Sequence, residues 1–246
     1  LYIQAPPPRD AYSRHEIAHR LDSMISQSKL TLLRQAANIA QEMDFRLYIV
    51  GGFVRDLLLG RSNFDIDLVV EGDAIALARA LAGEIGGRVR AHERFGTAKW
   101  ILNQDNLLDF VTARTEFYTH PTALPQVESS SIKQDLHRRD FTINTLAIRL
   151  DGEHYGELLD FYAGLEDLHQ GIIRVLHSLS FVEDPTRILR AIRLEQRLGF
   201  RIEPRTQELI SSALGLLGRV SGERIRHELF LLFQEQEPEA GLARME

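Results

Sequence analysis

No cysteine occurs in the 246 residues. That excludes disulfides and thiolate zinc sites, and it fits a reducing, cytoplasmic location. No apolar run approaches the roughly 18 residues that a membrane span needs, so no membrane partner is expected. The first ten residues, LYIQAPPPRD, lack the apolar core of a secretion signal. An initiator Met is missing too, which reads as a fragment or a processed chain. The nine histidines are scattered, with no HExxH spacing, and there is neither a GxSxG nor a P-loop. Excess positive charge is also missing. The formal net charge is −6, so any contact with nucleic acid has to use a local basic patch.

What is present is a 44% hydrophobic composition, ordinary for a globular chain with a real core. Residues 1–14, with Pro6-Pro7-Pro8, read as a linker. Residues 15–44 carry apolar positions at helical spacing. Leu47–Val50 reads as a buried strand, Phe53–Leu59 as a short helix stopped by Gly60, and Phe64–Val70 as a second strand. Asp73 suits the N-cap of a helix over 73–85. Further strands are expected from Val89, over 97–102 and over 107–113. Residues 114–135, with two prolines and Ser129-Ser130-Ser131, read as a long loop, functional or mobile. Residues 136–148 read as a polar stretch ending in an apolar helix, and 157–175 as a helix flanked by short strands. From Asp184 the pattern is helical, over 184–198, 204–217 and 221–236. The fold class is α+β. The expected division is a linker and N-terminal helix over 1–30, a mixed-sheet domain with flanking helices over 31–177, and an all-helical segment over 178–246.

The first two strands carry the densest chemistry. Gly51 and Gly52 at a strand-to-helix junction leave backbone N–H groups bare beside a helix N-terminus, an arrangement suited to phosphate. Arg55, one turn on, can add a cation. On a strand from Phe64, Asp65 and Asp67 would share one face, roughly 6–7 Å apart. Two carboxylates that close repel unless a proton or cation lies between them, and a hard divalent ion such as Mg²⁺ prefers oxygen ligands. Asp109 sits on a later strand of the same expected sheet. Three acids around a phosphate-binding turn suit a two-metal displacement at phosphorus. Farther on, Asp184 precedes Pro185 and suits a helix N-cap. Arg187 then lies on the same helix face. Arg187, Arg190, Arg193 and Arg197 form one stripe, and residues 186–205 hold six arginines against two glutamates. The stripe suits either a phosphate-tracking surface or a solvated face paired with neighbouring acids. Arg190 and Arg193 are alternatively placed to face a triphosphate.

Gly51-Gly52-Phe53-Val54-Arg55-Asp56 through Asp65-Ile66-Asp67 resembles the signature of the nucleotidyltransferase superfamily that includes DNA polymerase β. More narrowly, it resembles the class II branch, the bacterial CCA-adding tRNA nucleotidyltransferases and their poly(A) polymerase relatives. Arg138-Arg139-Asp140-Phe141-Thr142-Ile143-Asn144 is similar to the second motif of that branch. Glu183-Asp184-Pro185-Thr186-Arg187 is similar to its EDxxR motif. The likeness covers roughly residues 30–230, with the three motifs in family order. It implies a polymerase β-like head followed by a helical neck, with Mg²⁺ as cofactor and CTP, ATP and a tRNA 3′ end as partners. By the same likeness Asp65 and Asp67 are metal ligands, with Asp109 the third catalytic acid. Gly51, Gly52, Arg55, Arg138, Arg139, Asp140, Asn144, Arg190 and Arg193 are expected around the nucleotide, and Asp184 and Arg187 at its base. The implied reaction is template-independent addition of CMP, AMP or both, with release of pyrophosphate. A-adding, CC-adding and poly(A) enzymes share these motifs. A non-catalytic nucleotide- or RNA-binding module is the alternative from another class.

Overall fold

The computed structural model describes residues 12–63, 65–117 and 126–245. The Pro6-Pro7-Pro8 linker, Phe64 and the two prolines of the 114–135 segment lie outside them. In place of one helical stretch over 15–44 there are two helices, α1 (Arg14–Met24) and α2 (Gln27–Glu42). The chain turns extended at Ile25, with ψ 135°, and Ser26 stands at the N-cap of α2. Then come β1 (Arg46–Val50), α3 (Gly52–Leu58), β2 (Asp67–Glu71) and α4 (Ala74–Ile85). The Asp73 side chain caps α4, accepting from the N–H groups of Ile75 and Ala76. Next are β3 (Arg88–His92), β4 (Thr97–Ile101), β5 (Leu107–Thr112), β6 (Arg114–Phe117), β7 (Gln126–Ser129) and α5 (Ile132–His137). The chain continues through β8 (Leu146–Arg149), β9 (Leu158–Asp160), α6 (Gly164–Gln170) and β10 (Ile172–Ile173). Its last elements are α7 (Ser180–Glu183), α8 (Thr186–Leu198), β11 (Arg201–Ile202), α9 (Pro204–Ala213), α10 (Gly222–Phe233) and α11 (Pro238–Ala243).

Three expectations are corrected here. The second strand begins at Asp67, not Phe64, so Asp65 lies on the approach to the strand and does not share its pleat. Its backbone N–H donates to Asn63 Oδ1 instead of to a ladder. The expected loop over 114–135 contains the antiparallel pair β6–β7 and helix α5. The apolar end of 136–148 is not helical. Residues 142–144 make a 3-10 turn, and Leu146-Ala147-Ile148 enters β8 beside β1. A short buried apolar run has no period of its own, and the open edge of β1 decides its state.

The seven-stranded sheet has the order β3-β4-β5-β2-β1-β8-β9. Every neighbouring pair is antiparallel except β2–β5, which is parallel and connected through α4, β3 and β4. Successive side chains on a strand alternate between faces. Leu47 and Ile49 of β1, Leu68 and Val70 of β2, Phe110 of β5 and Trp100 of β4 join one large core with α2 and α4. Tyr48, Val50 and Val69 point the other way, into a small cluster with Ile132 and Leu136 of α5. The second face is therefore only partly covered, and Asp67, Asp109 and Val111 remain open to solvent on it. Farther on, β11 pairs in parallel with β10 and fixes the chain after α8 to the segment before α7.

Phe110 is 1% exposed and faces the core from the strand that presents Asp109 on the opposite side. Phe110→Ala is expected to cost about 3–5 kcal/mol of stability. Urea unfolding followed by circular dichroism measures it.

Candidate active site

The first glycine of the junction is there of necessity. Gly51 has φ 75° and ψ −137°, a conformation that strains any residue with a side chain. A Cβ at that position would also stand 2.8 Å from Arg139 Nη1. The backbone thus passes close under a guanidinium from the stretch after α5.

The open sheet face forms the floor of a cleft of about 410 Å³. Gly51, Gly52, Asp67, Val69, Thr97 and Val111 supply the β-strand side. Arg138, Arg139, Asp140 and Asn144 form one wall, and Asp184, Arg187 and Arg190 another, with Arg114 at the side. Ten of the residues expected around a nucleotide and metal thus line one cavity. Asp109 lies beside them. It is the direct neighbour of Asp67 across the β2–β5 ladder, and Lys99 is its neighbour on the other side. Residues laterally adjacent in a sheet point to the same face. Lys99 Nζ lies 3.1 Å from the Asp109 carboxylate, and both side chains are about half exposed.

Arg55 and Arg193 do not line this cleft. Arg55 is buried, donating Nε and Nη2 to the two oxygens of Asp56 at 2.8 and 3.0 Å. Its Nη1 donates to Asn144 Oδ1 at 2.8 Å. It holds Asn144 rather than presenting a free cation. Arg193 lies between Glu228 (3.6 Å) and Glu235 (3.4 Å) and borders a separate cleft. Arg190 bridges Asp140 (3.0 Å) and Glu228 (2.8 Å), and Arg197 lies 3.6 Å from Asp56. Most of the arginine stripe on α8 is therefore taken up by acids of the sheet domain, of α10 and of the turn after it. It is not a free phosphate-tracking surface.

A chain of polar contacts runs through the site. Asn144 Nδ2 donates to Asp140 Oδ1 at 2.9 Å, and the Phe141 N–H donates to the same oxygen at 2.8 Å. Burial alone would raise the Asp140 carboxyl. The Arg190 guanidinium, the Asn144 hydrogen bond and Arg187 outweigh it and bring the pKa down to about 2. On the other wall Arg187 is 5% exposed. It donates Nη1 to Ser180 Oγ at 2.6 Å and Nη2 to the Arg138 carbonyl at 2.8 Å. The N-cap of α8 is Pro185, not Asp184 as expected; Asp184 stands one residue earlier and accepts from the Thr186 N–H at 3.0 Å and the Thr186 hydroxyl at 2.6 Å. Glu183 stands 4.0 Å from Arg187 Nη1.

Two observations bear on what the cleft could hold. Arg139 Nε is buried without a hydrogen-bond partner, and such a group calls for an acceptor. The Asp67 carboxyl is raised, first by burial and then by Asp65, Asp109 and Asp135, with Arg139 opposing. The excess of negative charge beside oxygen-only donors fits a hard divalent cation. Among the described residues, three such side chains are not gathered into a ready-made cage. Residues not singled out from the sequence also matter here: Asp135, Asp56, Ser180, Arg224 and Glu228. Asp135 was findable, since it precedes Arg138 and Arg139 by three and four helical positions. It accepts from both, at 2.8 and 3.3 Å. Asp56 adjoins Arg55 in sequence, whereas Arg224 and Glu228 are joined to the site by tertiary contacts alone.

Comparison with known proteins adds the following. A family model described as the poly A polymerase head domain matches residues 47–174. A second, described as a probable RNA and SrmB-binding site of polymerase A, matches residues 199–246. An A-adding tRNA nucleotidyltransferase of Geobacter sulfurreducens is 47% identical over 94% of this chain and 27% of its own length. One of Halalkalibacterium halodurans is 40% identical over 97% of this chain and 57% of its own length. A CC-adding tRNA nucleotidyltransferase of Deinococcus radiodurans is 38% identical over 79% of this chain and 52% of its own length. The chain thus spans between about a quarter and somewhat over half of these relatives. A solved CCA-adding enzyme, apo form II, superimposes with TM-score 0.88 at 47% identity, covering 93% of this chain and 55% of that one. The CCA-adding enzyme of Thermotoga maritima complexed with tRNA matches with TM-score 0.83 at 44% identity, covering 93% and 53%.

The depressed Asp140 carboxyl has a pH signature. Its folded value lies below the ordinary 3.8, so the ionised form stabilises the fold above about pH 4, and that contribution fades as pH falls toward about 2. It amounts to roughly 2 kcal/mol. Thermal melts should show a gap between wild type and Asp140→Asn that is widest near about pH 6 and narrows below about pH 4.

Proposed function

Given that the chain belongs to the poly(A) polymerase head family, we propose that it is a template-independent nucleotidyltransferase acting on the 3′ end of tRNA. One observation carries this proposal. Asp67 of the sheet, Arg139, and the Asp184–Arg187 wall all open onto one cleft. The RNA 3′-hydroxyl oxygen would bond to the α-phosphorus of the nucleotide. The bond from that phosphorus to the bridging β-oxygen breaks, pyrophosphate leaves with the electron pair, and the hydroxyl proton is released. Arg138, Arg139 and Arg190 would bind the triphosphate and offset the charge on its oxygens. Gly51 and Gly52 let it approach the backbone, and Asp140 with Asn144 would orient the ribose. Asp65 and Asp67 would hold Mg²⁺, with Asp109 beside the attacking hydroxyl. When bound, such an ion supplies Lewis-acid polarisation and lowers the pKa of that hydroxyl. An Asp184 oxygen would accept from the exocyclic amine of adenine or cytosine while Arg187 donates to a ring nitrogen or carbonyl. The cysteine-free chain fits the cytoplasm as the place of this reaction.

The nucleotide added is assigned as AMP, with ATP as donor. The support is that relatives matched over nearly the whole chain, at 47% and 40% identity, are A-adding enzymes. Addition of CMP and AMP both, the CCA-adding reading, is supported by the overlay on CCA-adding enzymes. Labelled ATP and CTP, each alone and then together, on tRNAs ending before CCA and after CC separate these. AMP added only to the CC-ending tRNA is expected, and no incorporation of either nucleotide overturns the proposal. Asp67→Ala should lower incorporation to below about a thousandth while the melting temperature stays close to wild type. Retained incorporation would overturn the role given to Asp67.

A further inference from the structure

The open face of the sheet continues past the cleft onto β4 and β3. Asp67 of β2 is laterally adjacent to Asp109 of β5, Asp109 to Lys99 of β4, and Lys99 to Arg90 of β3. Lateral neighbours point to the same face. Two acids and two cations therefore stand in one row, running from the cleft to the edge strand. Neighbouring strands lie ~4.8 Å apart, which puts Arg90 about 10 Å from Asp109 along that row. On β3, Val89 and Ala91 pack against the core, while Arg88, Arg90 and His92 are exposed on the side of the acids. Lys99 meets Asp109. Arg88 and Arg90 make no ion pair and no side-chain hydrogen bond among the described residues. This is the local concentration of unpaired cations that α8 does not supply. One row on, Arg88 neighbours Ile101, and Ile101 neighbours Leu107. With Leu102 they line a shallow hollow of about 480 Å³.

Resting on the reading of the cleft as a nucleotidyltransferase site, we propose that this face of β3 and β4 is the track for the single-stranded 3′ end of the RNA. The terminal hydroxyl lies at Asp109. The phosphodiester before it meets Lys99, and the next ones back along the strand meet Arg90 and Arg88. Lys99 can change partners at little cost, because an ion pair between half-exposed side chains is weak. Arg88 and Arg90 lie on one side of β3, ~6–7 Å apart, of the order of the distance between successive phosphates in an extended single strand. The hollow of Ile101, Leu102 and Leu107, with Arg88 in its lining, suits the face of an unpaired base. Cations beside an apolar floor fit a nucleic-acid strand, whose charge lies on the backbone and whose bases are flat and weakly polar on their faces. The acids at the inner end of the row give the track its direction, since a free 3′-hydroxyl is the group that reacts there.

The test is the affinity for a labelled single-stranded RNA ending in CC, by fluorescence anisotropy across about 50 to 200 mM salt. It is read together with kcat/KM for CC-ending tRNA and KM for ATP. Wild type is compared with Arg88→Ala/Arg90→Ala, with Arg88→Lys/Arg90→Lys, and with Arg201→Ala, an exposed arginine of β11. The double alanine variant is expected to bind the RNA about tenfold more weakly, with a salt slope smaller by about 1.4, roughly 0.7 for each lost phosphate contact. Its kcat/KM for tRNA should fall in step, while KM for ATP and the melting temperature stay close to wild type. The lysine pair should keep most of the affinity, and Arg201→Ala should match wild type. Unchanged RNA affinity and slope in the double alanine variant overturn the proposal. So does self-association of that variant in sedimentation at unchanged RNA affinity, which would make the arginines guards of a sheet edge. A raised KM for ATP at unchanged RNA affinity also overturns it, assigning the arginines to the triphosphate. A wild type that incorporates no nucleotide sinks the catalytic reading instead, and the anisotropy still decides whether the strip binds RNA.

Discussion

The contact between Asp140 and Arg190 is the one on which the rest of the site depends. A buried carboxylate on the sheet side meets a guanidinium from α8 at 3.0 Å. An unpaired charge there would be costly to bury, so each group requires the other. Arg190 then reaches Glu228 on α10, while Asp140 holds Asn144, and Asn144 is held by Arg55. Arg55 is locked on Asp56, which also draws Asn63 and Arg197. One continuous polar network thus spans α10, α8, the cleft wall and α3. Removing one partner from such a network strands the others, so its members act as a unit.

This arrangement would let an acidic protein take up a polyanion. The cations that could bind phosphate are few, and most others are neutralised by nearby carboxylates. Arg139 lines the cleft and lowers the Asp67 carboxyl against the neighbouring acids. Negative ligand groups and a divalent cation can then be taken up side by side. The same economy appears on the opposite wall, where Asp184 and Arg187 are each tied by protein groups. Preorganised donors and acceptors cost no rearrangement when the ligand binds.

Local chemistry was the legible part. Gly51 was legible as a turn between an apolar strand and a short helix, Asp73 as a helix N-cap, and the Asp67–Asp109 neighbourhood from two apolar strands with matching acids. The motif stretches around Arg139 and Asp184 pointed to residues that do line one cleft. What sequence could not supply was partner choice across long separations. Arg55 looked like a free cation because Asp56 beside it is a match only once both are buried. The stripe from Arg187 to Arg197 has the same spacing whether it faces solvent or acids, and Glu228 and Glu235 decide that through the packing of α10 on α8. Asp65 was placed one pleat too far into β2, because strand pairing rather than residue type determines where a ladder begins. Leu146–Ile148 became a strand for a similar reason, the unfilled edge of β1.

The central claim is that the Asp140–Arg190 pair organises the nucleotide cleft as one unit. A double-mutant cycle on ATP affinity, by titration calorimetry with Asp140→Asn, Arg190→Gln and both together, tests it most directly. Strong coupling is expected: the double variant should bind ATP no more weakly than the weaker single variant, with an interaction free energy of roughly 1–3 kcal/mol. Losses that simply add, to within about 0.5 kcal/mol, would contradict it.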